Sequence, residues 1–285
     1  MTKTSCWTGL CRFGTLGADA KLNTSEFAVA CTGDFSVANH AGMRLGRKAI
    51  KTDSRTLQLG DYLQSTLPPP PSAADWTKGI TGWGMMLNDH LGDCTIAGVG
   101  HAIQVWTANT GTIASVPDSD VEAAYEKWGG YVPGDASTDT GGAELDVLNG
   151  WRKDGLSGHS LVAFADPQYA NLTEIRQSIA LFGGVYVGFA LPLTAQNQDV
   201  WDVAPGGGSF ANKGSWGGHC VYVPKYDANG FTCISWGQLK TMTVAFWTAY
   251  CDEAHTLLGQ DWLSARGAPN GFDLAQLQAD LSAIK

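Results

Sequence analysis

Between residues 94 and 109, apolar side chains return every three or four places, at Ile96, Val99, Ile103 and Trp106. That period marks one face of an α-helix, so it predicts a helix over 94–109 with Asp93 or Cys94 in its first turn. A second helix is expected over 143–154, just after Gly141 and Gly142, with Leu145, Leu148 and Trp151 on one face. Further helices are expected over 121–128, 172–182, 242–257 and 271–284. A short one over 57–67 is stopped by Pro68, Pro69, Pro70 and Pro71, whose extended polyproline geometry marks a boundary.

Elsewhere the pattern is that of strands. Residues 185–190 form one apolar run and residues 219–223 another. Asp227, Ala228, Asn229 and Gly230 then read as a turn, and 231–236 as the returning partner of a hairpin. Helices first and strands later predict an α+β protein. By this reading residues 1–67 are an N-terminal extension or arm, 68–182 a mainly helical half, and 183–285 a mainly strand half ending in helices. Residues 1 to about 45, rich in Gly, Ser, Thr and Ala, read as irregular. A more regular segment opens at Met43.

Charge and composition narrow the function. The 285 residues carry a net charge of -9, with no basic run, which argues against a nucleic-acid partner. No stretch reaches the roughly 20 apolar residues of a membrane span. The opening residues, Met1 to Trp7, lack the apolar core of a signal peptide, so a cytoplasmic location is expected. Seven cysteines, at 6, 11, 31, 94, 220, 233 and 251, show no CxxC spacing. They read mostly as reduced thiols, with no zinc site and no cofactor expected. Gly206, Gly207 and Gly208 lack the lysine of a phosphate loop and read as a flexible turn.

The candidate chemistry lies in three places. The stretch Asn88-Asp89-His90-Leu91-Gly92-Asp93-Cys94 puts a thiol at a helix N-terminus, where the helix dipole favours a thiolate. Asp93 opposes that charge and is expected to point away from the sulfur. His219 opens a strand after Gly217 and Gly218, and Ser235-Trp236-Gly237 follows. Cys94 as nucleophile, His219 as base, and the Cys94 amide with the Asn88 side chain as oxyanion donors make the parts of a thiol hydrolase. The competing structural readings are a buried helical cysteine, a strand-end histidine bonded to backbone, and a turn asparagine.

These segments resemble the active-site region of papain-like cysteine peptidases. In that family a Gln lies six residues before the nucleophilic Cys and a Gly two before it; Asn88 and Gly92 stand there. Asp75 and Trp76 fit its Asp-Trp pair, Gly141 and Gly142 its Gly-Gly, and Ser235-Trp236-Gly237 its Asn-Ser-Trp-Gly segment. The resemblance spans roughly residues 68 to 240. It implies a helical left subdomain built on the nucleophile helix and an antiparallel, β-barrel-like right subdomain. It also implies a peptide or protein substrate and a pro-segment-like role for residues 1–67. The chain is similar, too, to uncharacterised papain-like proteins of bacteria and their phages. That likeness raises a cell-wall amidase or endopeptidase, or a virion-associated binding scaffold, as alternatives.

Three positions depart from the family pattern. Ile234 stands at the place of the triad Asn and cannot accept a hydrogen bond from imidazole. Ser235, Gln238 or a backbone carbonyl is then left to orient the base, with Trp236 packing over the ring, or the site is a Cys-His dyad. Asn88 is one methylene shorter than Gln, and Leu91 replaces a disulfide cysteine. His101 reads as a buried, backbone-bonded histidine. His90, Asp89 and Asp93 read as solvated turn residues, and Asp252, Glu253 and His255 as a helix surface.

Overall fold

The computed structural model describes His40 and residues 42–283. The readings of residues 1–39, and of Cys6, Cys11 and Cys31, lie outside the described residues.

The chain first forms a one-turn 3-10 helix at Leu59–Tyr62, which buries Leu59 and Tyr62. The longer helix expected over 57–67 does not form: Gln58 and Leu63 are extended and bridge instead to Asp166 and Phe272. A short strand β1 (Ala74–Asp75) and helix α1 (Cys94–Thr110) follow. Next come α2 (Asp118–Ala124), which widens into a π turn at Tyr125–Gly129, and α3 (Glu144–Asp154). Strand β2 (Leu161–Ala165), helix α4 (Leu172–Phe182), and strands β3 (Val185–Leu191) and β4 (Val200–Trp201) continue the chain. Strands β5 (Gly217–Tyr226), β6 (Gly230–Ser235) and β7 (Gln238–Thr243) are consecutive. They lead to α5 (Val244–Tyr250), β8 (Cys251–Gly259), α6 (Gln260–Arg266) and α7 (Leu274–Ala283).

The helix expected over 242–257 is therefore a correction. Only α5 is helical there; residues from Cys251 onward form β8. This strand lies between β3 and β2, with Val187 opposite Ala254 and Phe164 opposite Leu257. Its polar residues Glu253, His255 and Thr256 are buried, so it shows neither the alternation nor the apolar run that marks a strand. Strand β2 is a short apolar run, which periodicity cannot separate from a buried helix.

The strands build an eight-stranded sheet in the order β2-β8-β3-β5-β6-β7-β4, with β1 on β5. All pairs are antiparallel except β4 with β7. This mixed α+β architecture, with an open and mostly antiparallel sheet, agrees with the class expected from sequence.

Strand alternation places the two cores. On β5, Cys220 and Tyr222 face one cluster with Ile96, Val99, Trp106 and Trp151. Val221 and Val223 face the other, with Ile179, Val187, Phe189 and Trp247. Successive strand residues point to opposite faces, so β5 and β3 serve both cores at once. Helix α1 is buried at every residue from Cys94 to Thr107, as a helix packed on all sides must be. Two of its polar residues reach backbone carbonyls: His101 Nε2 lies 2.9 Å from the Gly84 carbonyl, and Gln104 donates to the Gly82 carbonyl at 2.7 Å. Trp106 stacks on Trp151 at 5.6 Å and donates its indole N–H to the Phe182 carbonyl.

One further segment matters for the site. Residues 43–48 cross the seam between α1 and β5 as an extended strap. Their backbone bonds to both sides: Gly142 N–H donates to the Gly46 carbonyl, Lys48 N–H to the Gly142 carbonyl, and Arg47 N–H to the Gly218 carbonyl.

Candidate active site

Cys94 is the first residue of α1, and Asp93 is its N-cap. The Asp93 carbonyl accepts from the Ile96 and Ala97 amides, leaving the Cys94 amide without an intrahelical acceptor. The loop before it is forced into shape, with Met86 and Leu87 both at positive φ, 53° and 64°. Asn88 is buried and donates its side-chain amide to the Leu91 carbonyl and to Asp93 Oδ1, each at 3.1 Å. Both amide hydrogens are used inside the loop, so in this arrangement Asn88 holds Asp93 rather than facing a cleft. Asp93 is fully buried, which corrects its reading as a solvated turn residue. Burial, in spite of the Asn88 bond, raises its carboxyl well above the ordinary value. Only His90 stands out in solvent as expected.

The base is fixed from the other side. Nε2 of His219 lies 2.8 Å from the Ser235 hydroxyl, and Nδ1 is buried with no hydrogen-bond partner among the described residues. Ser235 pairs with Gln238 across a two-residue turn, in which Trp236 and Gly237 have φ of 48° and 68°. Two positive φ values define the tight turn that matches strand twist. It folds Trp236 back over His219, ring centroids 4.4 Å apart and nearly parallel. Gln238 is exposed at the start of β7, while Ser235 holds the ring. Ile234 has the opposite strand phase and packs into the α1 core. The side chain in register with the imidazole is thus one residue later than the family pattern implies.

The structure brings Cys94 and His219 to the same seam. The Cys94 sulfur accepts a hydrogen bond from the Cys220 backbone N–H at 3.3 Å, one residue along β5 from the histidine. No thiol–imidazole hydrogen bond is formed. Burial pushes the Cys94 thiol up to about 12; Asp93 adds to the rise, while the Cys220 and Gly46 amides oppose it. Burial, then Arg47, His101 and His40, hold His219 down to about 3. The pair is therefore a neutral thiol beside a neutral imidazole at physiological pH. Cys94, Cys220, Cys233 and Cys251 are all free and buried.

The strap accounts for that dryness. A methyl group on Gly46 would come within 1.7 Å of the Gly92 carbonyl oxygen, so only a glycine lets the strap lie this close to the nucleophile loop. Arg44 anchors it through the His90 carbonyl and Asp139, and the Trp236 indole donates to the Arg44 carbonyl. The family resemblance raised a pro-segment-like role for residues 1–67 as a whole, but no periodicity or motif singles out these strap residues within it.

Arg47 makes the deepest anchor. Its Nη1 donates to Glu253 at 2.9 Å and its Nη2 to Asp252 at 2.6 Å, while Nε lies 4.0 Å from Glu144. Asp252, Glu253 and His255 thus lie on β8, facing the strap and α3, and not on a helix surface. Glu144, Glu253 and His255 are the one grouping of metal-ligand type among the described residues. The Arg47 guanidinium supplies the positive charge there.

No protein-family model and no curated protein sequence matches the chain. Solved structures do. Xylellain, a cysteine protease from Xylella fastidiosa, superposes with a TM-score of 0.57 at 13% identity, covering 76% of this chain and 96% of its own. The ragweed pollen cysteine protease Amb a 11 in its proform superposes with a TM-score of 0.51 at 13% identity, covering 78% of this chain and 69% of its own. The chain has the fold of the papain-like cysteine proteases. Within that fold Cys94 opens the central helix and His219 lies on the facing strand.

Proposed function

We propose that this chain is a cysteine peptidase held in a covered resting state, with Cys94 as nucleophile and His219 as base. The observation that carries the reading is the joint placement at the α1–β5 seam. The sulfur sits at a helix N-terminus against the backbone next to His219, and the imidazole is held by Ser235 and Trp236 with Nδ1 left over. A thiol needs a base that is oriented and has a free nitrogen; this arrangement offers both.

When the strap moves aside, water reaches the pair and the burial that suppresses both charges is relieved. Nδ1 of His219 takes the thiol proton, and the thiolate attacks the carbonyl carbon of a peptide bond. The tetrahedral oxyanion is met by the Cys94 amide at the helix N-terminus. Collapse breaks the C–N bond, and His219 returns the proton to the leaving amine. A water molecule deprotonated by the same imidazole then hydrolyses the thioester and frees the thiol. Ser235 positions the ring in the role that an asparagine would otherwise fill.

The test is alkylation by iodoacetamide with mass mapping, together with hydrolysis of fluorogenic peptides, in the wild-type chain and in Gly46→Ala. The reading expects Cys94 of the loosened variant to react at least about tenfold faster than Cys220, Cys233 or Cys251. It also expects peptide turnover that Cys94→Ala abolishes. Equal labelling of the four thiols and no turnover would leave a papain-like scaffold without catalysis.

A further inference from the structure

Arg47 is the strap side chain that carries a charge into the body of the protein. It is 4% exposed at its side chain and faces Glu144, Asp252 and Glu253, which are 0%, 15% and 6% exposed. These acids come from two separate elements, the start of α3 and the start of β8. The two terminal nitrogens of the guanidinium go to two different carboxylates. That fork is geometry a lysine ammonium cannot reproduce.

Two features show that the space is kept open for such a side chain. The wall facing it on β3 is Gly188, where a methyl group would come within 2.7 Å of Arg47 Nη1 and 2.5 Å of Glu144 Oε1. Glu144 is fully buried, yet neither of its oxygens accepts a hydrogen bond from a nitrogen or oxygen donor. Buried carboxylates without donors are costly unless a cation is supplied. Here the strap supplies one: burial alone would lower the guanidinium, but Glu144, Asp252 and Glu253 outweigh it, while burial and Glu253 still hold the Glu144 carboxyl well above the ordinary range in spite of Arg47. A cavity of about 390 Å³ adjoins Asp252 and Glu253, bordered by Lys51, Asp166, Tyr169 and His255.

The position matters as much as the charge. The Arg47 amide donates to the Gly218 carbonyl, next to His219, and its neighbour Gly46 lies over the Cys94 sulfur. A side chain entering here belongs to a backbone lying across the nucleophile. We propose that the pocket lined by Glu144, Gly188, Asp252 and Glu253 is a specificity pocket for a basic side chain, arginine before lysine, of a peptide ligand. Arg47 occupies it until the strap is displaced. This assignment rests on the peptidase reading for its substrate role, but the binding itself does not.

Binding is tested first. Nα-acetyl-arginine amide is titrated into the full chain carrying Arg47→Ala while Tm is followed, with the neutral isostere Nα-acetyl-citrulline amide as comparison. The arginine compound should raise Tm by a few degrees and the citrulline compound should not; equal responses overturn the pocket. Because Arg47→Ala uncovers buried acids and is at risk of not folding, Gly46→Ala carries an independent comparison. In it, acetyl-arginine amide should compete with Arg47 and speed Cys94 alkylation at least about threefold over the citrulline compound; no difference again overturns the pocket.

Specificity is tested next, on fluorogenic peptides with the Gly46→Ala chain. Arginine-containing substrates should exceed glutamate-containing ones at least about a hundredfold in kcat/KM. Asp252→Asn with Glu253→Gln should erase most of that ratio. Turnover without a basic preference sinks the pocket and leaves the peptidase. Arginine-selective binding without any turnover keeps the pocket and sinks the peptidase.

Discussion

At the level of single residues, burial sets the chemistry of the resting site. The Cys94 thiol, pushed up to about 12 from 9.0, has about a thousandfold less thiolate at pH 8 than the same thiol in the unfolded chain. We expect alkylation of Cys94 in the native wild-type chain to be slower than in denaturant by at least about that factor, rising tenfold per pH unit between pH 8 and 11. A flat pH profile, measured by mass spectrometry, would show that the sulfur is ionised already. His101 is a second such residue, lowered to about 4 from 6.5 by burial, partly offset by its bond to Gly84. Its folded value lies below the unfolded one, so the unfolded chain binds the proton first as pH falls. The stability this histidine contributes is whole above pH 6.5 and is lost as pH falls toward 4, by about 3 kcal/mol. Urea unfolding at pH 7 and pH 4 should show the wild-type chain losing about that much more than His101→Gln, whose amide can still donate to the Gly84 carbonyl.

At the level of elements, the strap and the β6–β7 turn decide what the site can do. The turn at Trp236 and Gly237 places Ser235 on the imidazole and turns Trp236 over it, while the same strand sends Ile234 into the other core. The departure at Ile234 is legible in the sequence. Its remedy one residue later depends on strand phase and pairing register, which motif spacing alone does not fix. Gly46 in the strap is the clearer case of a residue whose role is hidden from sequence. Gly46 is ordinary in the chain, and only the approach of the Gly92 carbonyl makes it necessary. In Gly46→Ala the strap must shift, and Cys94 alkylation at pH 8 should rise at least about tenfold over wild type. A modest fall in Tm is expected beside it, since Met43 and Leu45 pack at the margin of one core. An unchanged rate would mean that something other than the strap keeps the thiol covered.

At the level of the whole molecule, two cores share β3 and β5, and α1 fills the space between sheet and helices. Trp106 joins these layers, packing on Trp151 and Tyr222 and bonding the end of α4. Trp106→Ala should cost about 3–5 kcal/mol in denaturant unfolding, because a rigid interior cannot collapse around the lost ring. A loss below about 1 kcal/mol would show that this junction is not load-sharing between the halves.

The sequence by itself determined the nucleophile helix, the helix after Gly141 and Gly142, the helix at Leu172–Phe182 and the central strands. Their periodicities are local, and each buries the face that its own pattern marks. It also offered Cys94 and His219 as a thiol and a base, and the family resemblance added Ser235, Gln238 and Trp236 around them. Only the tertiary structure decided that β8 is a strand, that Asn88 turns to Asp93, and that Arg47 lies among Glu144, Asp252 and Glu253. Those outcomes join residues as many as 206 positions apart. They are set by which surfaces and charges must be buried together, and a one-dimensional pattern holds no record of that.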